Sequence, residues 1–493
     1  MFAAKSLPQN HLADPFEAIL RPPPGETSAQ RDTRILAEQL AKRVSDAIDE
    51  QLRAERAELK KSRSDVRILL LGQSESGKST TLKQFQLLHT PAAFQAERMA
   101  WRFVIYLNLI RSVRRILDTI SPEREEEVHE LLDSASLGSD GQSPDSSAQT
   151  DPENHRIAAE KYAEYNIALA PALELEGTLI RSLREDDDED EATHLGDGST
   201  PGWSAPRGEY TVRTTSNWKR AFTLRRNRSK QRLSSSSWWE DPSDPVHILD
   251  SSRDAMVRLW QDEWVRHRLV EKRVRLQESS GFYLDEIERI TSKTYTPTDE
   301  DVLKARLKTL GVVEHQFTIS MGSMRGASNW VIYDVGGARS QRHAWAPYFQ
   351  DVNAIIFLAP ISAFDQVLTE DQRVNRLEDS LLLWRGLVSN KLLEGVPIVL
   401  FLNKCDLLRE KLEAGVQLKN YLVTYGDRPN NYESVAKYLR NKFGTLHNQY
   451  RTNPGRELFV HYTSVTDKAK TAQIIANVRE AILRLNLKTL KLM

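Results

Sequence analysis

Apolar and polar positions change period several times along this chain, and each change marks a new kind of element. Over residues 31–62 the charged stretch holds Ile35, Leu36, Leu40, Val44, Ile48 and Leu52 near helical spacing, which predicts one long helix with a narrow apolar stripe. A short unbroken apolar run, "VRILLLG" at residues 66–72, predicts a strand buried on both faces. Helical spacing returns in "TTLKQFQLLH", "FQAERMAWRFVIYLNLIRSVRRILDTI", "SRDAMVRLWQDEWVRHRLVEKRVRL" and "FYLDEIERI". Beyond Gly311, strand-like runs ("VEHQFTIS", "WVIYDVG", "AIIFLAP", "PIVLFLNK", "LFVHYTSV") alternate with helical ones ("RLEDSLLLWRGLV", "YESVAKYLRNKF", "TAQIIANVREAILRLNL"). That alternation predicts an α/β fold with a mostly parallel sheet covered on both faces, and it places ligands at the carboxyl ends of the strands.

Composition changes the picture in three places. Residues 1–30, with "LRPPPGETSAQ", read as a flexible lead. Residues 134–154 are rich in Ser, Asp, Gly and Pro, and residues 184–245 hold an acidic run, "REDDDEDE", and a basic run, "KRAFTLRRNRSKQR". Both are expected to be disordered or loosely packed insertions. The basic run offers cations to nucleic acid or an anionic membrane, but the acidic run beside it offsets them, and no nucleic-acid partner is expected. Lys and Arg total 68 against 69 Asp and Glu in 493 residues, so no global field selects a polyanionic partner. The single cysteine, Cys405, excludes an internal disulfide framework and fits a reducing compartment. No run of roughly eighteen apolar residues occurs. Together with a start that lacks the plan of a secretory signal, this predicts a soluble intracellular protein. Phe2, and the lack of cysteine near either end, predict no acyl anchor.

The chemistry begins at "GQSESGKS", residues 72–79, which matches G-x-x-x-x-G-K-[ST] between a predicted strand and a predicted helix. Backbone N–H groups of such a loop surround phosphates, Lys78 supplies a cation, and the Ser79 hydroxyl suits a magnesium ion. The base is addressed by "NKCD" at the end of a strongly apolar run. The Asp406 carboxylate can accept both N1–H and the exocyclic amine of guanine, whereas adenine presents a lone pair where a donor is needed. Lys404 can lay its stem along the base. Val465, in "TSV" after another strand, sits where backbone N–H groups could meet the guanine oxygen.

With these motifs stand "YTPTDEDVLKARLKTLGVVEHQF", "DVGGAR", "FDQVLTEDQRVNRLEDS" and "LWQD", and in this order the chain resembles the alpha subunits of heterotrimeric G proteins. The resemblance covers roughly residues 31–120 and 250–493. It implies a Ras-like P-loop GTPase domain (63–88 and 304–493) interrupted by an all-α helical domain (89–303) enlarged by the two insertions, with GDP or GTP and Mg²⁺ bound between them. It further implies that Gly72, Glu75, Ser76, Gly77, Lys78, Ser79, Thr80, Leu303, Arg306, Thr309, Asp334, Gly337, Asn403, Lys404, Asp406 and Val465 contact the nucleotide. Ser79, Thr309 and Asp334 would serve the metal. Arg306 and Lys78 would be catalytic, with Glu75 pairing Arg306. A beta-gamma dimer held by the N-terminal helix, a membrane receptor and regulators of the signal are the implied partners, and membrane contact would come through them, at the inner face of the plasma membrane.

Departures from the resemblance matter to the chemistry. Ser74 replaces a loop glycine, Ala305, Leu310 and Glu263 replace small polar residues, and the tail "LKTLKLM" lacks its cysteine. Ala338 stands where the family has a glutamine that aligns water behind the γ-phosphate. A methyl group neither donates nor accepts, so hydrolysis is expected to be slow unless Ser340 or Gln341, further along, replaces it. Two readings stay open: a slowly cycling signalling GTPase, and a GTP-binding interaction module that signals without turnover.

Overall fold

The computed structural model describes residues 27–62, 66–122, 152–183 and 238–464, apart from positions 273, 310, 321–326 and 351, together with 472–478 and 480. The lead, most of both insertions, Leu310, Val465 and the C-terminal tail lie outside the described residues. The predicted N-terminal helix is a single helix, Ser28–Ser62. It starts three residues earlier than its apolar spacing suggests, because Thr27 donates from both backbone N and Oγ1 to Gln30 Oε1 (3.1 and 3.0 Å) and closes its first turn. Its stripe, Leu36, Leu40, Val44 and Ile48 among it, is exposed.

From Val66 onward a six-stranded sheet organises the chain: β1 (Val66–Leu71), β2 (Val312–Ser320), β3 (Ala327–Val335), β4 (Ala354–Pro360), β5 (Ile398–Asn403) and β6 (Leu458–Thr463). The order is β2-β3-β1-β4-β5-β6, parallel throughout except for β2, which runs antiparallel to β3 at the edge. Every residue of β4 and β5 is buried, the signature of strands covered on both faces. Apolar cores lie on the two sides, one around Trp384, Phe357 and Phe443, the other around Trp330, Phe85 and Phe401. Burying each such side chain is worth about 1.5–3 kcal/mol. Strand order reverses at β1, so the phosphate loop leaves the sheet at its topological switch point.

A separate, all-helical core surrounds Trp101–Ile120, of which Val104, Ile105, Tyr106, Leu109 and Ile110 are fully enclosed. Several expected elements differ here. The helix expected from Phe94 breaks at residues 98–100 into Pro91–Glu97 and Trp101–Ile120. The one expected from Ser252 breaks at Asp262, whose Oδ1 accepts from the N–H groups of Trp264 (2.9 Å) and Val265 (3.2 Å) and so caps a new helix, Glu263–Glu271. "FYLDEIERI" is one tight turn, Leu284–Glu286, followed by the single turn Ile287–Ile290. Regular structure extends into both expected insertions. Pro152–Asn154 open a long helix, Pro152–Ser182, which buries Leu169, Ala172 and Leu179. Trp238–Glu240 form a turn, and Asp244 ion-pairs with the buried Arg102.

The helical core meets the sheet through Lys411. Its ammonium donates to Glu278 Oε2 (2.8 Å) on the helical side, and to Asp365 Oδ1 (2.5 Å) and the Ser362 carbonyl (2.8 Å) beside β4. Among the described residues no helix is long and apolar enough to cross a membrane.

Candidate functional site

β1 ends at Leu71, and the chain turns sharply at Gly72 (φ 145°), where a Cβ would lie 2.5 Å from the Leu358 carbonyl of β4. Only glycine lets the loop leave between the two strands. The loop closes over Ser76, fully buried, and enters the helix Lys78–His89. Lys78 is folded back onto its own loop and donates to the carbonyls of Gly72 (2.9 Å) and Gln73 (2.8 Å). Burial lowers its ammonium to about 8, against the pull of Asp334. The cation is thus held inside the loop with little neutralising charge, ready for an anion.

The next residue, Ser79, donates its hydroxyl to Asp334 Oδ2 (2.6 Å), and the Thr309 hydroxyl donates to the same oxygen (3.2 Å) while lying 3.0 Å from Ser79 Oγ. Asp334 is the next-to-last residue of β3 and is buried. Burial raises its carboxyl despite Lys78, Ser79 and Thr309, and among the described residues nothing donates to its Oδ1. Two hydroxyls and a carboxylate with an unsatisfied oxygen form an all-oxygen donor set, which fits a hard divalent cation such as Mg²⁺. Among the described residues no group of three or more His, Cys, Asp or Glu side chains is placed to hold a metal ion.

Arg306 stands on the stretch between the helix Asp299–Lys304 and β2. Asn108 grips its backbone at both ends, accepting from Arg306 N (2.7 Å) and donating to Arg306 O (2.9 Å), while Lys83 donates to the carbonyls of Val302 and Ala305 (2.8 and 2.7 Å). The guanidinium pairs with Glu75 Oε1 at 2.7 Å. Arg376 takes the other carboxylate oxygen (3.2 Å) and also donates to the Ser74 carbonyl (2.8 Å). Burial alone would push the Glu75 carboxyl up, but Arg306, Arg376 and Lys404 outweigh it and hold it at about 2. Glu75 (φ 58°) and Lys404 (φ 63°) are the non-glycine residues with positive φ among the described residues, and both lie here; local strain gathers at working sites.

The Glu75 cluster carries a pH signature. A carboxyl at about 2 when folded and 4.5 when unfolded contributes stability that is complete above pH 4.5 and lost as pH falls toward 2. The full effect is roughly 3 kcal/mol. Urea midpoints measured from pH 7 to 3 are expected to fall more steeply for the parent chain than for Glu75→Gln, and parallel curves would show that the carboxylate is not held this way.

The far side of the site is tied to the loop by Asn403, at the end of β5. Its amide donates to the Ser76 carbonyl (2.7 Å) and accepts from Thr463 Oγ1 (3.0 Å) at the end of β6. Lys404 then turns left-handed and leads the helix Cys405–Glu413; burial lowers its ammonium to about 8. Asp406, half-buried, accepts from Ser464 Oγ at 2.6 Å. Gly337 packs against the phosphate loop so closely that a Cβ would stand 2.5 Å from both Lys78 Nζ and Ser74 N. Its carbonyl takes a long bond from Arg342 (3.5 Å), which is itself clamped to Asp379.

Of the residues expected here, the loop, Arg306, Thr309, Asp334, Gly337 and Asn403–Asp406 converge on the carboxyl ends of β1, β3 and β5. Leu303 is buried in the helix Asp299–Lys304, and Thr80 follows Ser79 in the loop helix. Asn108, Lys83 and Arg376 were missed. Arg376 carries no local signal, since its partner is 301 residues away; the lone amide inside the apolar "YLNLI" was the available sign of Asn108.

A central phosphate loop, an oxygen-lined cation site and an aspartate-bearing loop two strands over define a P-loop nucleotide-binding protein. Residues 42–482 match the model of the G-protein alpha subunit family, and the chain belongs to that family. It is 34% identical to the guanine nucleotide-binding protein alpha-4 subunit of Mycosarcoma maydis, over 96% of this chain and 95% of that one. It is 26% identical to the alpha-2 subunit of Neurospora crassa (90% and 94% covered) and 28% to the alpha-1 subunit of Kluyveromyces lactis (91% and 94%).

Proposed function

We propose that this chain is a guanine-nucleotide switch that binds GDP and GTP with Mg²⁺, hydrolyses GTP slowly, and transduces receptor signals as the alpha subunit of a heterotrimer. The observation that carries the reading is the convergence of Ser79, Thr309 and Asp334 within 2.6–3.2 Å beside the buried Lys78, with no donor to Asp334 Oδ1 among the described residues. Bound Mg²⁺ would neutralise charge between the outer phosphates. Lys78 exchanges its two loop carbonyls for phosphate oxygens. Arg306, delivered from the Glu75 pair, meets the negative charge that grows as the terminal phosphoryl group leaves. Asp406 reads the guanine edge, and Asn403 braces the loop that presents it. The exposed stripe on Ser28–Ser62 suits a beta-gamma dimer, and membrane residence at the inner face would come through that partner and a receptor.

Slowness follows from Ala338, whose buried methyl cannot orient water. In single-turnover assays Ala338→Gln is expected to release phosphate at least about tenfold faster than the parent at equal GTP-analogue affinity. Equal rates would remove Ala338 as the cause, and a parent without any Mg²⁺-dependent turnover would leave the non-cycling interaction module.

A further inference from the structure

The segment after Ala338 holds a side chain that the expected chemistry does not use. Gln341 donates its backbone N–H to the Ala338 carbonyl (3.0 Å), a tight turn that throws the side chain back over Gly336. Its amide oxygen would be 1.9 Å from a Cβ placed on Gly336, and the Thr309 carbonyl oxygen would be 3.1 Å from the same point. The two oxygens are therefore at most about 5 Å apart, a separation that one water could bridge with bonds of roughly 2.8 Å to each. Gln341 Oε1 is buried, and among the described residues nothing donates to it. An unmet buried acceptor of this kind is costly unless something donates to it.

The neighbours of that spot tell what the water would do. Gly336 is flanked in sequence by Val335 and by Gly337, which is packed on Lys78 Nζ and Ser74 N. Thr309, whose carbonyl supplies the second acceptor, aims its hydroxyl at Asp334 in the cation site. A water that gives both protons to Gln341 Oε1 and Thr309 O keeps a lone pair for attack, the alignment that Ala338 cannot give. Ser340, the other candidate, is exposed.

We infer that Gln341 is the residue that positions the attacking water in this chain, so that the slow turnover runs through an amide three residues beyond the usual place. This rests on the reading of the chain as a GTPase. The attacking oxygen bonds to the terminal phosphorus, the bond to the β-γ bridging oxygen breaks, and GDP leaves with that electron pair. The water's proton passes to the released phosphate, and Gln341 is unchanged.

The test is single-turnover phosphate release from the Mg²⁺-GTP complex of the full chain, for the parent, Gln341→Ala, Gln341→Glu and the double variant Ala338→Gln/Gln341→Ala. Gln341→Ala is expected to lose at least about tenfold in rate. Affinity for a non-hydrolysable GTP analogue, and the tryptophan fluorescence change on binding it, are expected to stay as in the parent. The double variant is expected to regain the rate, because a second amide is supplied. A Gln341→Ala rate equal to the parent overturns the inference alone. Loss of analogue binding in both Gln341 variants also overturns it, since the side chain would then be structural. A parent with no turnover overturns both this inference and the GTPase reading.

Discussion

Arg306→Ala is expected to lower single-turnover GTP hydrolysis by about 10³-fold or more, the general size for GTPases that supply such an arginine, alpha subunits included. GTP-analogue affinity is expected to change little. The split has a structural cause. Before the reaction the guanidinium is already satisfied by Glu75 at 2.7 Å, and its backbone is fixed by Asn108 from both sides. The side chain therefore adds little to ground-state binding, but it can swing a short distance to meet charge that exists only in the transition state. Asn108→Ala should reproduce part of the loss, because the backbone that aims Arg306 is released. Phosphate release and analogue titration on the same preparations check this, and a matched loss of affinity in Arg306→Ala would show that the arginine serves binding.

The second large effect belongs to the base. Asp406→Asn is expected to weaken guanine nucleotides by roughly 10²- to 10⁴-fold, since two hydrogen bonds to a charged acceptor, each worth about 1.5–3 kcal/mol, are lost or weakened. The new amide can donate to a 2-oxo group, so xanthine nucleotides are expected to gain affinity in the same variant. Ser464, which donates to Asp406 at 2.6 Å, holds the side chain in place either way. Competition titrations with GDP and XDP would decide it; an Asp406→Asn protein that still prefers GDP removes Asp406 as the discriminator.

What could be read in the sequence was whatever depends on a local spacing. "GQSESGKS" and "NKCD" announce themselves because a loop must place consecutive backbone groups around one ligand. The unbroken runs of β1, β4 and β5 announce a sheet buried on both faces. The helical core was harder. Asp262 looks like one more polar position on a helix until its Oδ1 is found capping a new one, and Pro152–Ser182 carries Pro171 in its interior, which argues against the helix it belongs to. Arg376 reaches a partner 301 residues away and Lys411 one 133 residues away, through contacts that only the folded chain creates. Gln341 is intermediate: its place three residues after Ala338 is visible in the sequence, but the turn that folds its amide over Gly336 is not.

The same turn region holds one more bond, from Gly336 N to the Gly311 carbonyl (2.8 Å). It joins the strand that carries Asp334 to the segment that carries Thr309, at the point where each leaves the sheet. On the proposed reading, two loops stitched together there would respond to the terminal phosphate as one, carrying a single bit of information between them. By thermodynamic reciprocity, any partner that grips one loop biases the other, and a ligand held by both must work against that partner with the same coupling energy.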